Sequence, residues 1–330
     1  MENLDLKDRK ILYQLDLDSR QSFRSLGRKV GLSKDIVASR VKRLQERGII
    51  TYFWTAIDTY KLGYQVFRIY INFQDITSEK KKEIIQYFVN CKDTWVVVSG
   101  KGEIDFSVLF WVRNVSAFYD YWNKTVSKFS HFFGKITIST LNHVVAYKKS
   151  FILPEDFKKM DTKFYHLGSI GKTYQIDEID YKILNELAIN ARIPILELAA
   201  KIGCSSQTVQ IRIKNLMKNE IIIKFRVAID ISKLGLQNYG INIHLKDYTK
   251  RKVILDYIEE KPFLEYVDDN IGWCDLQFEI VVKNVEILTN IMDEINTKFE
   301  GAIRKQTFEI VTERHKERWL PEMEFKKENR

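Results

Sequence analysis

Apolar residues in roughly the first fifty positions recur at helical spacing, and further along they alternate with polar ones at strand spacing. Ile11, Leu12 and Leu15 form the i, i+1, i+4 stripe of a first helix. Asp5-Leu6-Lys7-Asp8 opens it, a capping carboxylate followed three residues on by a second. Ser22 starts a short second helix that ends near Gly31, because a residue without Cβ accepts a left-handed turn. Ser33 caps a third helix with Val37, Val41 and Leu44 on its buried face. The extended segment Ile49 to Asp58 follows, as a wing or a connector. Phe67, Ile69, Ile71 and Phe73 alternate with Arg68 and Asn72, which predicts a strand with one buried face. A helix through Ile84 and Phe88, strands at Trp95–Val98 and Phe106–Val112, a helix over about Val115–Lys128 and a strand near Ile136–Tyr147 complete the order.

The pattern is written twice. Asp5 to Gly63 aligns without a gap on Asp177 to Gly235, with 24 of 59 positions identical, against roughly 6% for unrelated sequences. Arg20, Gly31, Ser33, Val37 and Arg40 match Arg192, Gly203, Ser205, Val209 and Arg212, and Pro194 stands where Ser22 opened the second helix, suiting a first helical turn. Further on, Gly102 and Asp105 fall on Gly272 and Asp275 after a two-residue shift. The expected domains are 1–63 and 176–235 (helical units), 64–150 and 236–330 (strand-and-helix units), and a linker over 151–175 carrying Pro154, Gly168 and Gly171 without clear periodicity.

The face of each third helix opposite its apolar stripe carries the candidate chemistry. In the first copy it holds Lys34, Asp35, Ala38, Ser39, Arg40, Lys42 and Arg43, behind the cap Ser33. In the second it holds Ser206, Gln207, Gln210, Ile211, Arg212, Lys214 and Asn215. Arg and Lys reach guanine edges and phosphates, and Gln or Asn pairs bidentately with adenine, so this is the layout of a helix-turn-helix reader of double-stranded DNA. A three-helix bundle with a solvated charged face gives the same pattern. The aligned segments carry 13 basic and 7 acidic residues in copy one, and 9 and 7 in copy two, so the first unit has the stronger phosphate attraction.

Composition changes this picture little. The 330 residues are 45% hydrophobic and 29% charged, enough for several cores, and the net charge of +9 suits a polyanionic partner. Three scattered cysteines, no signal-like N-terminus and no apolar run of about 18 residues predict a cytoplasmic protein without membrane contact. The five histidines form no ligand-spaced pair, and no phosphate loop or hydrolase motif is present, so no metal, cofactor or enzymatic activity is expected.

Leu4-Asp5-x-x-Asp8, Ile11-Leu12, Arg20, Gly31-Leu32-Ser33, Arg40-Val41-x-x-Leu44, Gly48-Ile49-Ile50 and Leu62-Gly63 resemble the Lrp/AsnC family of regulators, and the second copy departs at Glu220 and Met217. The resemblance implies an α+β chain with two winged helix-turn-helix domains and two ferredoxin-like βαββαβ domains that oligomerise and sense a small-molecule effector, often an amino acid. It places Ser99, Gly102, Asp105, Asn270, Gly272 and Asp275 beside the effector pocket; hairpin geometry and turn capping explain the same residues. Trp95, Trp111, Tyr119 and Trp122 suit a pocket or core packing. Family pairing through the sensor domain implies a pseudo-dimer of the two sensor domains, within one chain or between chains, burying apolar sheet surface, and a homo-oligomer. Siroheme decarboxylases share the layout but carry histidine near the second sensor strand, where this chain reads Trp95-Val-Val-Val-Ser99 and Tyr266-Val-Asp-Asp-Asn270. A sensor module without DNA affinity is the third reading.

Overall fold

The structure, a computed structural model, describes residues 4–154, 163–168 and 171–325. The first half runs α1 (Leu6–Leu17), α2 (Phe23–Val30), α3 (Lys34–Glu46), β1 (Ile50–Ile57), β2 (Gln65–Phe73), α4 (Ser78–Asn90), β3 (Thr94–Gly102), β4 (Phe106–Val112), α5 (Val115–Phe129) and β5 (Phe133–Tyr147). A short strand, β6 (Lys163–Leu167), precedes the second half. That half repeats the order as α6 (Glu178–Ile189), α7 (Ile195–Ile202), α8 (Ser206–Lys218), β7 (Ile222–Ile229), β8 (Gln237–Leu245), α9 (Arg251–Glu259), β9 (Leu264–Ile271), β10 (Leu276–Val282), α10 (Val285–Lys298) and β11 (Ile303–Glu317).

Helix starts follow the capping chemistry. Asp5 and Asp177 each accept the backbone amide three residues on, of Asp8 and Asp180, at 2.8 Å. Pro194 sits one place earlier than expected, at the cap of α7. After α3 the chain turns through Gly48 at φ 64°; after α8 the same left-handed turn is made by Glu220 at φ 54°, a conformation that costs a side-chain-bearing residue free energy. Glu220 is held there by an ion pair to Lys61 of the first half at 2.5 Å.

The segment read as a wing or connector is a connector. β1 and β7 pair antiparallel with each other, setting Trp54 opposite Arg226. Each βαββαβ unit forms a four-stranded antiparallel sheet, ordered β5-β2-β4-β3 in the first half and β11-β8-β10-β9 in the second. β3 pairs with β11 and β9 with β5, so eight strands close on themselves. The linker read as aperiodic contributes β6, which adds to the end of β5; its residues 155–162 and 169–170 lie outside the described residues.

Each sheet packs one face on its own helices through an apolar core, with Ile69, Phe88 and Phe106 in the first and Ile241, Ile254 and Phe278 in the second. The other face turns inward toward the opposite half, so Tyr70 is buried and Arg68 and Asn72 are half-buried, contrary to the one-sided strand and the apolar sheet contact expected. Arg68 binds Asp268 at 2.8 Å, Tyr70 donates to Gln277 at 3.0 Å and stacks on Trp273, and Asn242 donates to Glu309. Among the described residues no helix is long and apolar enough to cross a membrane.

Candidate nucleic-acid interface

α3 and α8 present their expected outer faces. The Ser33 hydroxyl accepts the Ile36 amide, so it caps the helix, and Lys34, Ser39, Lys42 and Arg43 are exposed. On α8, Gln207, Gln210, Lys214 and Asn215 are exposed and Ser206 is half-buried. Ile36 on α3 and Ile211 and Met217 on α8 add apolar surface to these faces.

Two arginines behave differently. Arg40 lies 2.7 Å from Asp5 and 2.8 Å from Asp8, and Arg212 lies 2.6 Å from Asp177 and 3.0 Å from Asp180. Each guanidinium thus ties the reading helix to the capping end of its module's first helix, rather than standing free on the outer face. Slight burial works against ionised Asp5 and Asp177, but the capped amides and the arginines hold both below the usual carboxylate range. The sequence signal was available: Asp5, Asp8 and Arg40 recur together as Asp177, Asp180 and Arg212.

The modules are locked to each other by bonds that occur in pairs. Ser19 N–H donates to Phe225 O at 2.8 Å, and its counterpart Ala191 N–H to Phe53 O at 2.9 Å. Asp58 N–H reaches Ile221 O and Asp230 N–H reaches Ile49 O, both at 2.9 Å. Arg20 donates to Ala191 O and Ile193 O, while Arg192 donates to Ser19 O and Gln21 O. This reciprocity is that of an isologous, two-fold contact. One contact breaks it: Arg226 donates two fully buried hydrogen bonds to Asp16, at 2.7 and 2.9 Å, and reaches the Tyr165 and Tyr266 hydroxyls. The counterparts of Arg226 and Asp16 are Trp54 and Ala188, and Trp54 stacks instead on Trp319 at 3.6 Å. Sequence reasoning missed Arg226 and Asp16, since charges at positions apolar in the other copy read as surface.

The six sensor positions have framework duties. Asp105 accepts the Phe73 amide at 2.9 Å and Asp275 the Leu245 amide at 2.7 Å, fastening each hairpin to its own first strand. Gly102 and Gly272 have positive φ, and a Cβ there would strike Phe308 O or Ile138 O, so glycine permits the strand pairing between halves. Ser99 bonds His315 at 2.8 Å, and Asn270 donates to Gln277 at 2.9 Å. Trp95 and Trp111 stack in the core and Trp122 packs on Phe133, whereas Tyr119 is exposed.

The AsnC-type helix-turn-helix domain matches this chain twice, at residues 4–45 and 176–217. The chain is 48% identical over 66 residues to the HTH-type transcriptional regulator Ptr1 of Methanocaldococcus jannaschii, covering 20% of this chain and 45% of that protein, so it spans less than half of that relative's length. It is 31% identical over 123 residues to the proline dehydrogenase transcriptional activator of Rhodobacter capsulatus, covering 36% of this chain and 79% of that one. The crystal structure of the siroheme decarboxylase NirDL in co-complex with an iron-uroporphyrin III analogue matches 94% of this chain and 92% of its own, at TM-score 0.64 and 13% identity, a likeness of fold alone.

Proposed function

Because this chain belongs to the Lrp/AsnC family of transcription regulators, we propose that it regulates transcription by setting α3 and α8 on one duplex as two unlike reading heads. The observation that carries this reading is the reciprocal lock between the modules, which fixes the two helices in one unit, each exposing cations or amides. Two identical helices read a palindrome. With Lys34, Asp35 and Arg43 on one face and Ser206, Gln207 and Asn215 on the other, the natural site is two different half-sites. Ser39, Lys42, Gln210 and Lys214 join them in contacting DNA, while Arg40 and Arg212 position the helices. The two sensor domains act as a pseudo-dimer within the chain. Their effector is a small molecule of the amino-acid class, and Ser99, Gly102, Asp105, Asn270, Gly272 and Asp275 hold the hairpins around it. Selecting bound sequences from a random duplex pool with the full chain tests this: two unlike half-sites are expected, and a perfect palindrome or no enrichment overturns it.

A tetrapyrrole enzyme is the second reading, supported by the whole-chain likeness to the decarboxylase fold. Titration with an iron-uroporphyrin, followed by visible absorption, separates the two readings; a saturable spectral change favours the enzyme.

A further inference from the structure

The two modules differ at the inner end of their aspartate–arginine clasps. In the first, Asp5 and Asp8 meet two guanidinium groups, since Arg43 adds a contact to Asp8 at 3.0 Å beside that of Arg40. In the second, among the described residues, Arg212 alone bridges Asp177 and Asp180, and the counterpart of Arg43 is the shorter Asn215. The Asp8 side chain is 3% exposed and that of Asp180 is 20% exposed. Asp180, Arg212 and Asn215, the counterparts of Asp8, Arg40 and Arg43, line a pocket of about 390 Å³. Its other walls include Tyr174, Ile176 and Leu216.

We propose that this pocket binds a small organic cation, a guanidinium or primary ammonium head on a short apolar body. The head takes the position that Arg43 supplies in the first module, against Asp180, where two carboxylates are otherwise balanced by one arginine. A charge-assisted bond to a partly buried carboxylate is among the stronger polar contacts available to a ligand. Ile176 and Leu216 cover the apolar body, and the volume falls within the range of about 300–1,000 Å³ usual for small-molecule sites. Asn215 and Leu216 belong to α8, so an occupant touches the reading helix itself.

The site is tested on the full chain without DNA, so the result does not depend on the regulatory reading. Calorimetric titration with butylguanidinium should show one saturable site, and sodium butyrate at equal ionic strength none. Asn215→Arg supplies the guanidinium covalently and should weaken binding at least about tenfold. Asn215→Gln, which adds length without a positive charge, should retain binding, a result that misfolding does not mimic. Absence of saturable binding, undiminished binding to Asn215→Arg, or loss of binding in Asn215→Gln would each overturn the proposal.

Discussion

The joint between the two helix-turn-helix modules is two-fold in its backbone and one-sided in its side chains. The amide bonds of Ser19 and Ala191, or of Asp58 and Asp230, repeat on both sides of the axis. At the centre, Trp54 faces Arg226. In a dimer of identical units a residue on the axis meets its own copy, so an arginine there meets an arginine. Joining the units in one chain removes that constraint, and Arg226 meets Asp16 and two tyrosines. The sensor pair repeats the lesson. Asp268, Glu279 and Glu309 of the second half have Val98, Leu109 and Ser139 as counterparts, and the acids face Arg68, whose own counterpart is Gly240.

The sharpest way to break this comparison is Arg226→Met, which leaves Asp16 buried without its partner. We expect a loss of about 3–5 kcal/mol in denaturant unfolding. Adding Asp16→Leu should recover most of it. A single variant as stable as the parent would show that the one-sided pair contributes nothing.

Next come the acids of the second half. Burial pushes both Glu279 and Glu309 up to about 7, from an ordinary value of 4.5. Between these values the folded chain holds protons that the unfolded chain has released. Their contribution is therefore complete below pH 4.5 and lost as pH rises through 7. Glu279→Gln and Glu309→Gln should each be more stable than the parent at pH 8 by ~1–3 kcal/mol. They should match it at pH 4. Parallel stability curves across that window would refute the burial argument.

A smaller effect sharpens the contrast between the clasps. Arg40→Ala leaves Asp8 with Arg43, whereas Arg212→Ala leaves Asp180 without an arginine partner among the described residues. Both should lower the melting midpoint, by about 1 kcal/mol or less in stability, with Arg212→Ala the larger. Equal losses, or the reverse order, would count against the two-to-one imbalance in the second module.

The smallest effect concerns DNA. Lys34→Ala and Lys42→Ala should each reduce the salt dependence of binding by about one unit of slope. Gln207→Ala should leave the slope unchanged and relax base preference. Fluorescence anisotropy across salt concentrations distinguishes these outcomes.

Much of this was legible in the chain because local chemistry dictates it. Asp5, Ser22, Ser33 and Gly31 punctuate helices through bonds to residues three or four positions away, and the period-two run at Phe67–Phe73 needs no partner to be recognised. What distant segments decide was not legible. Arg68 and Arg226 look like surface charges until the strand that faces each is known. Arg40 was placed on the DNA-facing side of its helix without the clasp, because its aspartate partners lie 32 and 35 residues away. The role of β1 depended on a strand 172 residues further on, and β6 on the end of β5.

The closure of the eight strands also sets a timetable for synthesis. β3 finds its outer neighbour only in β11, which begins roughly 200 residues later. At about 5–20 residues per second, the ribosome leaves that strand edge open for roughly 10–40 s. A tethered partner spares the finished protein the search for a second chain, but the nascent one carries an unpaired edge while those residues are made. Lys101 and Glu103, at the tip of the β3 hairpin, put charge where that edge would otherwise invite pairing with another nascent chain.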